Sequence, residues 1–219
     1  MGLFSRKSPE EKRIKKFNQI EKPLVNSMKN YKVNNFGCNF QALLKYSATE
    51  EDYRKVADHF KEWAINCVPE TLAKSKKFNH INFWNVFNAN YIFGPLSLMT
   101  LGEYGECLKC LDALIDAKED LYSTKIARGS GGFITIAEHA LASTGAGGSK
   151  KQERLIQQVE FYKIICLTET GKEPNARVML DKFPDGYAIE VETNDDYYNE
   201  HFKYKDNLSV EYMKKILNE

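Results

Sequence analysis

Apolar residues recur at three- and four-residue steps through most of the chain, the spacing of a helix with one buried face. The clearest run is Tyr53, Val56, Ala57, Phe60, Trp63, Ala64 and Cys67. Thr49 precedes it as an N-cap, with Asp52 three residues on. The run is expected to end near Val68-Pro69, because proline has no N–H to donate. Ser8-Pro9-Glu10-Glu11 predicts another start: Ser8 caps early N–H groups, Pro9 suits the first turn and Glu11 completes a capping box. Ile14, Phe17 and Ile20 then share one face, while Lys12, Arg13, Lys15 and Lys16 cover the other. A second short helix is expected over 24–31, a turn at 34–37 and a helix over 40–46. Residues 82–101 are apolar on most sides and read as a buried helix pair, kinked or broken at Gly94-Pro95. Further helices are expected over 103–118, 133–143, 152–168 and 175–182, and from Ser209 as N-cap to about 217. Glycine-rich loops fall at 129–132 and 145–149. Only 187–192 alternates like a strand, and one strand cannot form a sheet, so it reads as an extended connector. The expectation is one all-α domain over 1–219, with 1–8 a flexible tail.

Three places share a spelling: Gly, four residues, a small residue, three residues, Leu. They are Gly102/Cys107/Leu111, Gly132/Ala137/Leu141 and Gly171/Ala176/Leu180, with Gly37/Ala42/Tyr46 a poorer fourth. Glycine permits a tight turn, the small residue lets helices approach closely, and leucine fills the groove between them. The stretch Leu101-Gly102-Glu103-Tyr104-Gly105-Glu106-Cys107-Leu108 resembles the second-helix start of a tetratricopeptide repeat, and Tyr91 falls where that family places a large aromatic. Gly94-Pro95 departs from the Leu-Gly of the family, and the intervals of 30 and 39 residues bracket its period of about 34. The resemblance covers about a third of the chain by the span of those repeats. It implies antiparallel helical hairpins in a compact, repeat-like stack.

Composition changes this picture little. The 219 residues are 42% hydrophobic and 28% charged with a net charge of +1, too balanced to demand a nucleic-acid or membrane partner. The balance hides an asymmetry. Residues 1–32 hold nine Lys/Arg and three Asp/Glu, net +6, and residues 181–219 hold ten Asp/Glu and five Lys, net −5. These are either solvated faces that attract each other or two docking surfaces of opposite sign. The cysteines Cys38, Cys67, Cys107, Cys110 and Cys166 are odd in number, and Met1–Lys7 has too short an apolar run for a signal peptide. Reduced thiols and a cytoplasmic location are therefore expected. Arg6 stands where a myristoylation motif wants Ser or Thr, and the asparagines of 80–101 leave no bilayer-spanning run.

Few constellations promise chemistry. Cys107-Leu-Lys-Cys110 lies inside an amphipathic helix with no second ligand pair, so core thiols are expected in place of a metal site. Gly145-Ala-Gly-Gly-Ser-Lys150-Lys151 lacks the Gly-Lys-Ser/Thr order of a phosphate loop. No histidine among His59, His80, His139 and His201 has another at the fourth position. No cofactor is expected. An enzymatic alternative uses Glu138 or His139 in a site between helices.

Two surfaces stand out instead. Asn82, Asn85 and Asn88 step by three along an apolar helix, an uncharged stripe of donors and acceptors. In Asp195, Asp196, Tyr197, Tyr198, Glu200 and Tyr204, aromatics alternate with carboxylates, a pattern that offers contact area and steers a basic partner. The competing reading is a tail that packs Tyr198 and Phe202 on the body. The function expected is a protein-binding module acting by occupancy, of the type of an immunity protein or antitoxin that covers its partner's site. A third alternative is membrane or nucleic-acid association through the basic residues 6–32.

Overall fold

The computed structural model describes residues 8–30, 40–70, 93–120, 149–191 and 196–218. Along them run α1 (Pro9–Lys29), α2 (Phe40–Leu44), α3 (Glu50–Glu62), α4 (residues 93–100), α5 (Tyr104–Asp120), α6 (Ser149–Glu169), α7 (Glu173–Leu180), α8 (Asp196–His201) and α9 (Val210–Asn218). The fold is all-α, and the described residues contain no strand. The alternating stretch makes a single antiparallel bridge, Ala188 to Ser209. It is flanked by hydrogen bonds from Ile189 N to Leu208 O at 2.8 Å and from Val210 N to Tyr187 O at 3.0 Å. The extended connector is thus tied to the start of α9, where Ser209 Oγ caps Tyr212 N at 3.3 Å.

The helices pack largely in chain order: α1 on α2, α2 on α3, α3 on α5, α5 on α6, α6 on α7 and α7 on α9. Two of the three Gly-small-Leu spellings lie among the described residues, and both make the same turn. At Gly102, with φ of 74°, Glu103 N donates to Leu98 O at 2.9 Å and Gly102 N to Met99 O at 3.1 Å. At Gly171, with φ of 72°, Lys172 N donates to Leu167 O at 2.8 Å and Gly171 N to Thr168 O at 3.2 Å. These are Schellman turns, which a left-handed glycine closes at least cost. Each leads within two residues into the next helix, which buries the small residue and the leucine of the spelling: Cys107 and Leu111 in α5, Ala176 and Leu180 in α7. The third spelling, at Gly132, lies outside the described residues.

One expected helix boundary is corrected. Helix α1 does not break before Leu24 but runs through Pro23 to Lys29. Pro23 lies on the exposed face, while Leu24, Ser27 and Met28 continue the buried face begun by Phe17. Burial of that face offsets the roughly 3 kcal/mol cost of an interior proline. The run that begins in α3 is described as far as Glu70, in keeping with an end near Val68-Pro69. It widens into a π turn, Trp63–Cys67, and remains helical over 68–70. The wider turn lets Val68 N reach Trp63 O just ahead of the residue that has no N–H.

The helix pair expected over 82–101 is described only from residue 93, which puts Gly94 at the start of α4. A Cβ there would fall 2.2 Å from the Phe60 ring, so only glycine lets α4 lie against that ring. Phe60 belongs to the aromatic centre of the N-terminal half, with Phe40 edge-on at 5.6 Å and Trp63 stacked at 6.1 Å. A second cluster joins Phe161 of α6 to Phe183 and Tyr187, with centroids 5.1–5.8 Å apart. The thiols of Cys67, Cys107, Cys110 and Cys166 are buried and unbridged. Burial pushes Cys67 up to about 11 and Cys110 up to about 12.

Candidate functional site

The sequence placed its strongest contact surface on the segment that forms α8. This helix presents two aromatic pairs at the four-residue spacing that brings side chains together on one face. Tyr198 and Phe202 form the inner pair, with centroids 5.0 Å apart and both residues buried. They anchor α8 to the body, as the packing reading of the tail anticipated. Tyr204 follows them into the core. Its ring meets Tyr212 of α9 edge-on at 6.2 Å, and its hydroxyl donates to the Glu169 carboxylate at the end of α6. Burial, reinforced by that carboxylate, pushes the Tyr204 hydroxyl above its ordinary range.

Tyr197 and His201 form the outer pair. Their rings stack with centroids 4.0 Å apart and planes 16° from parallel. His201 Nδ1 donates to the Tyr197 carbonyl at 2.9 Å, which fixes the imidazole over the phenol. On its other side Tyr197 meets Tyr53 of α3 at 4.8 Å. The Tyr197 hydroxyl is pushed up, first by burial and then by the Glu50 carboxylate, with Arg54 opposing. Asp196 and Glu200 are exposed on the same helix.

The structure therefore divides the predicted contact residues. Asp196, Tyr197 and Glu200 remain at the surface, Tyr197 half-buried. Tyr198 and Tyr204 are 3% and 0% exposed, so they support the surface and are corrected from contact residues to core residues. Asp195 lies outside the described residues, as do Asn82, Asn85, Asn88, Glu138 and His139. Tyr53, Glu50 and His201 join the site without having been singled out. The four-residue step from Tyr197 to His201 was a readable signal. Nothing local in the sequence brings Tyr53 to Tyr197.

At the other end of the chain Arg13 departs from its expected place on a solvated basic face. Its side chain is 18% exposed. Nη1 donates to Asp52 Oδ2 at 2.7 Å and also to the Tyr46 carbonyl, while Nε and Nη2 hold Glu10 at 2.8 and 2.6 Å. Asp52 Oδ2 accepts a further bond from Ala48 N at 3.1 Å. A second tie joins α1 to α3, His59 Nε2 to Glu21 Oε1 at 2.8 Å. Among the described residues no group of three His, Cys, Asp or Glu side chains converges to hold a metal ion, and no helix is long and apolar enough to cross a membrane. No family model, no curated protein and no solved structure matches the chain.

Proposed function

We propose that the protein is a helical binding module that acts by occupying a partner protein, and that Asp196, Tyr197 and Glu200 form part of its contact surface. One observation carries the reading. Tyr197 is clamped between Tyr53 and His201 with exposed carboxylates on the same helix. A ring held in place loses little entropy on binding, and tyrosine in such a setting is a common energetic anchor. The carboxylates favour a basic partner. In this reading the partner is inhibited by being covered, as immunity proteins and antitoxins do. The two matching turns at Gly102 and Gly171 support a repeat-like stack of antiparallel hairpins as the scaffold. The unbridged thiols support work in the cytoplasm.

The test is capture of the partner from lysate of the source cells by the full chain, followed by affinity measurement with the purified partner. Tyr197→Ala is expected to weaken binding at least about 30-fold, the scale of a hot-spot residue, with the chain still folded and its melting temperature lowered by the lost packing on Tyr53. Asp196→Lys/Glu200→Lys is expected to slow association, most strongly at low salt. Affinity unchanged in both variants removes this surface from the reading.

A further inference from the structure

The outward face of α1 has an unused property. Lys12, Lys15, Lys16, Lys22 and Lys29 are all exposed. None of them meets a carboxylate among the described residues. Elsewhere Lys55, Lys61, Lys109, Lys163, Lys203 and Lys214 each pair with one at 2.5–2.8 Å. The helical repeat puts Lys15, Lys22 and Lys29 in one line, about 10.5 Å apart along the axis, with Lys12 and Lys16 beside it. Arg13, the other basic residue of α1, is turned inward to Asp52. The opposite face, through Phe17, Leu24, Ser27 and Met28, is buried, so the orientation of the stripe is fixed by the fold. Ile14 flanks it and is 44% exposed, one of the few large apolar side chains left open to water among the described residues.

We infer that this face of α1 docks the protein on an anionic lipid bilayer. A helix of 21 residues is about 31 Å long, and an outward stripe of that length can lie along a plane. Among its described residues the stripe carries neither an arginine fork for phosphate nor an aromatic for base stacking. Lysine supplies point charges attracted to the negative surface potential of acidic headgroups. Ile14 adds a single apolar side chain at the depth of the interface. The association is electrostatic, reversible and sensitive to salt. It rests on residues of α1 alone, so it stands independently of the partner reading above.

The experiment is sedimentation of the full chain with phosphatidylcholine vesicles, with and without phosphatidylserine, at low and high salt. Binding is expected only with phosphatidylserine and is expected to fall at high salt. Each lysine near the surface is worth roughly fivefold in partitioning, so Lys15→Glu/Lys22→Glu/Lys29→Glu is expected to lower it on the order of a hundredfold or more. These side chains make no bond within the described protein, so circular dichroism is expected to be unchanged. A second triple variant, Lys172→Glu/Lys182→Glu/Lys205→Glu, makes the same change of net charge elsewhere and is expected to retain most of the binding. Ile14→Asn is expected to weaken whatever binding survives at high salt. Equal loss in both triple variants would show an effect of net charge and overturn the inference. So would no binding to either vesicle, or binding to duplex DNA at the same salt without binding to phosphatidylserine.

Discussion

The two ends of the chain carry opposite net charge, +6 over residues 1–32 and −5 over 181–219, yet in their described parts each is fastened by a different kind of contact. Helix α1 reaches α3 through Arg13–Asp52 and His59–Glu21, over a buried strip of Phe17, Leu24 and Met28. The α8–α9 end is fastened by rings: Tyr198, Phe202 and Tyr204 pack with centroids 5.0–6.1 Å apart and meet Tyr212. Its ion pairs lie at the rim, where Lys203 and Lys214 are 55% and 41% exposed. The net charge of a segment therefore says little about how that segment is held. On the strongly basic helix a single arginine, turned inward, makes the charged tie to Asp52, while the lysines beside it remain in water.

Alkali is expected to have the largest effect, through buried tyrosines at the ring-fastened end and buried thiols elsewhere in the core. Burial raises the hydroxyl of Tyr187 up to about 12, and those of Tyr198 and Tyr204 above their ordinary range as well. The thiols of Cys67 and Cys110 rise to about 11 and about 12 from an ordinary 9.0. In each case the folded value lies above the unfolded one. The stability these groups contribute is whole below pH 9 and is lost as pH rises towards 12. Each unit of separation corresponds to about 1.4 kcal/mol per fully buried group. The melting temperature is expected to fall continuously above pH 9, with tyrosinate absorbance appearing together with unfolding. Tyrosinate that titrates smoothly near 10 in a chain that stays folded would show that the rings are open to water and that the contrast between the ends is unfounded.

Next in size are two truncations, one at each end. Phe202→Ala removes a ring that is 2% exposed and is expected to cost about 3–5 kcal/mol in denaturant unfolding, independent of salt. Arg13→Ala leaves Asp52, with its side chain 12% exposed, without its cation and is expected to cost about 3 kcal/mol, at the low end for breaking a buried pair. Arg13→Lys is expected to recover only part of the loss, because lysine cannot hold Asp52, Tyr46 and Glu10 in one fork. If Arg13→Ala costs no more than an exposed pair would, α1 is held by its apolar strip alone and the comparison fails at that end.

The sequence made the local features of the fold legible wherever one residue type answers one physical need. The Ser8–Glu11 capping box, the Thr49 cap and the turn glycines at 102 and 171 fall in this group, as does the face running from Tyr53 to Cys67. It misled where a local penalty is outweighed by packing. The expected break before Leu24 left out the buried face that Phe17, Leu24, Ser27 and Met28 share on both sides of Pro23, which carries α1 through. It was silent on tertiary partners. The inward turn of Arg13 depends on Asp52, 39 residues away, and the approach of Gly94 depends on the Phe60 ring. The exposure of the candidate contact residues was half legible. Asp196, Tyr197 and Glu200 keep their exposure, whereas the same alternation of aromatics and carboxylates hid the fact that Tyr198 and Tyr204 point into the core.

The smallest effect discriminates most finely between the two ends. Glu169 accepts from Lys203 Nζ at 2.5 Å and from the Tyr204 hydroxyl. If the C-terminal end is held by rings, the lysine is an accessory, since an ammonium this exposed is screened by water. Lys203→Ala is then expected to cost less than about 0.5 kcal/mol. Tyr204→Phe keeps the ring and removes only the hydroxyl, and is expected to cost about 1.5 kcal/mol, the scale of a hydrogen bond to a charged group. The two changes should not add. Once Lys203 is gone, the Tyr204 hydroxyl is the remaining donor described on a carboxylate that is 18% exposed, so the double variant should lose more than the sum of the single ones. A cost for Lys203→Ala as large as that for Arg13→Ala would mean that a charge fastens this end too, and the distinction drawn between the two ends would be one of sequence composition alone.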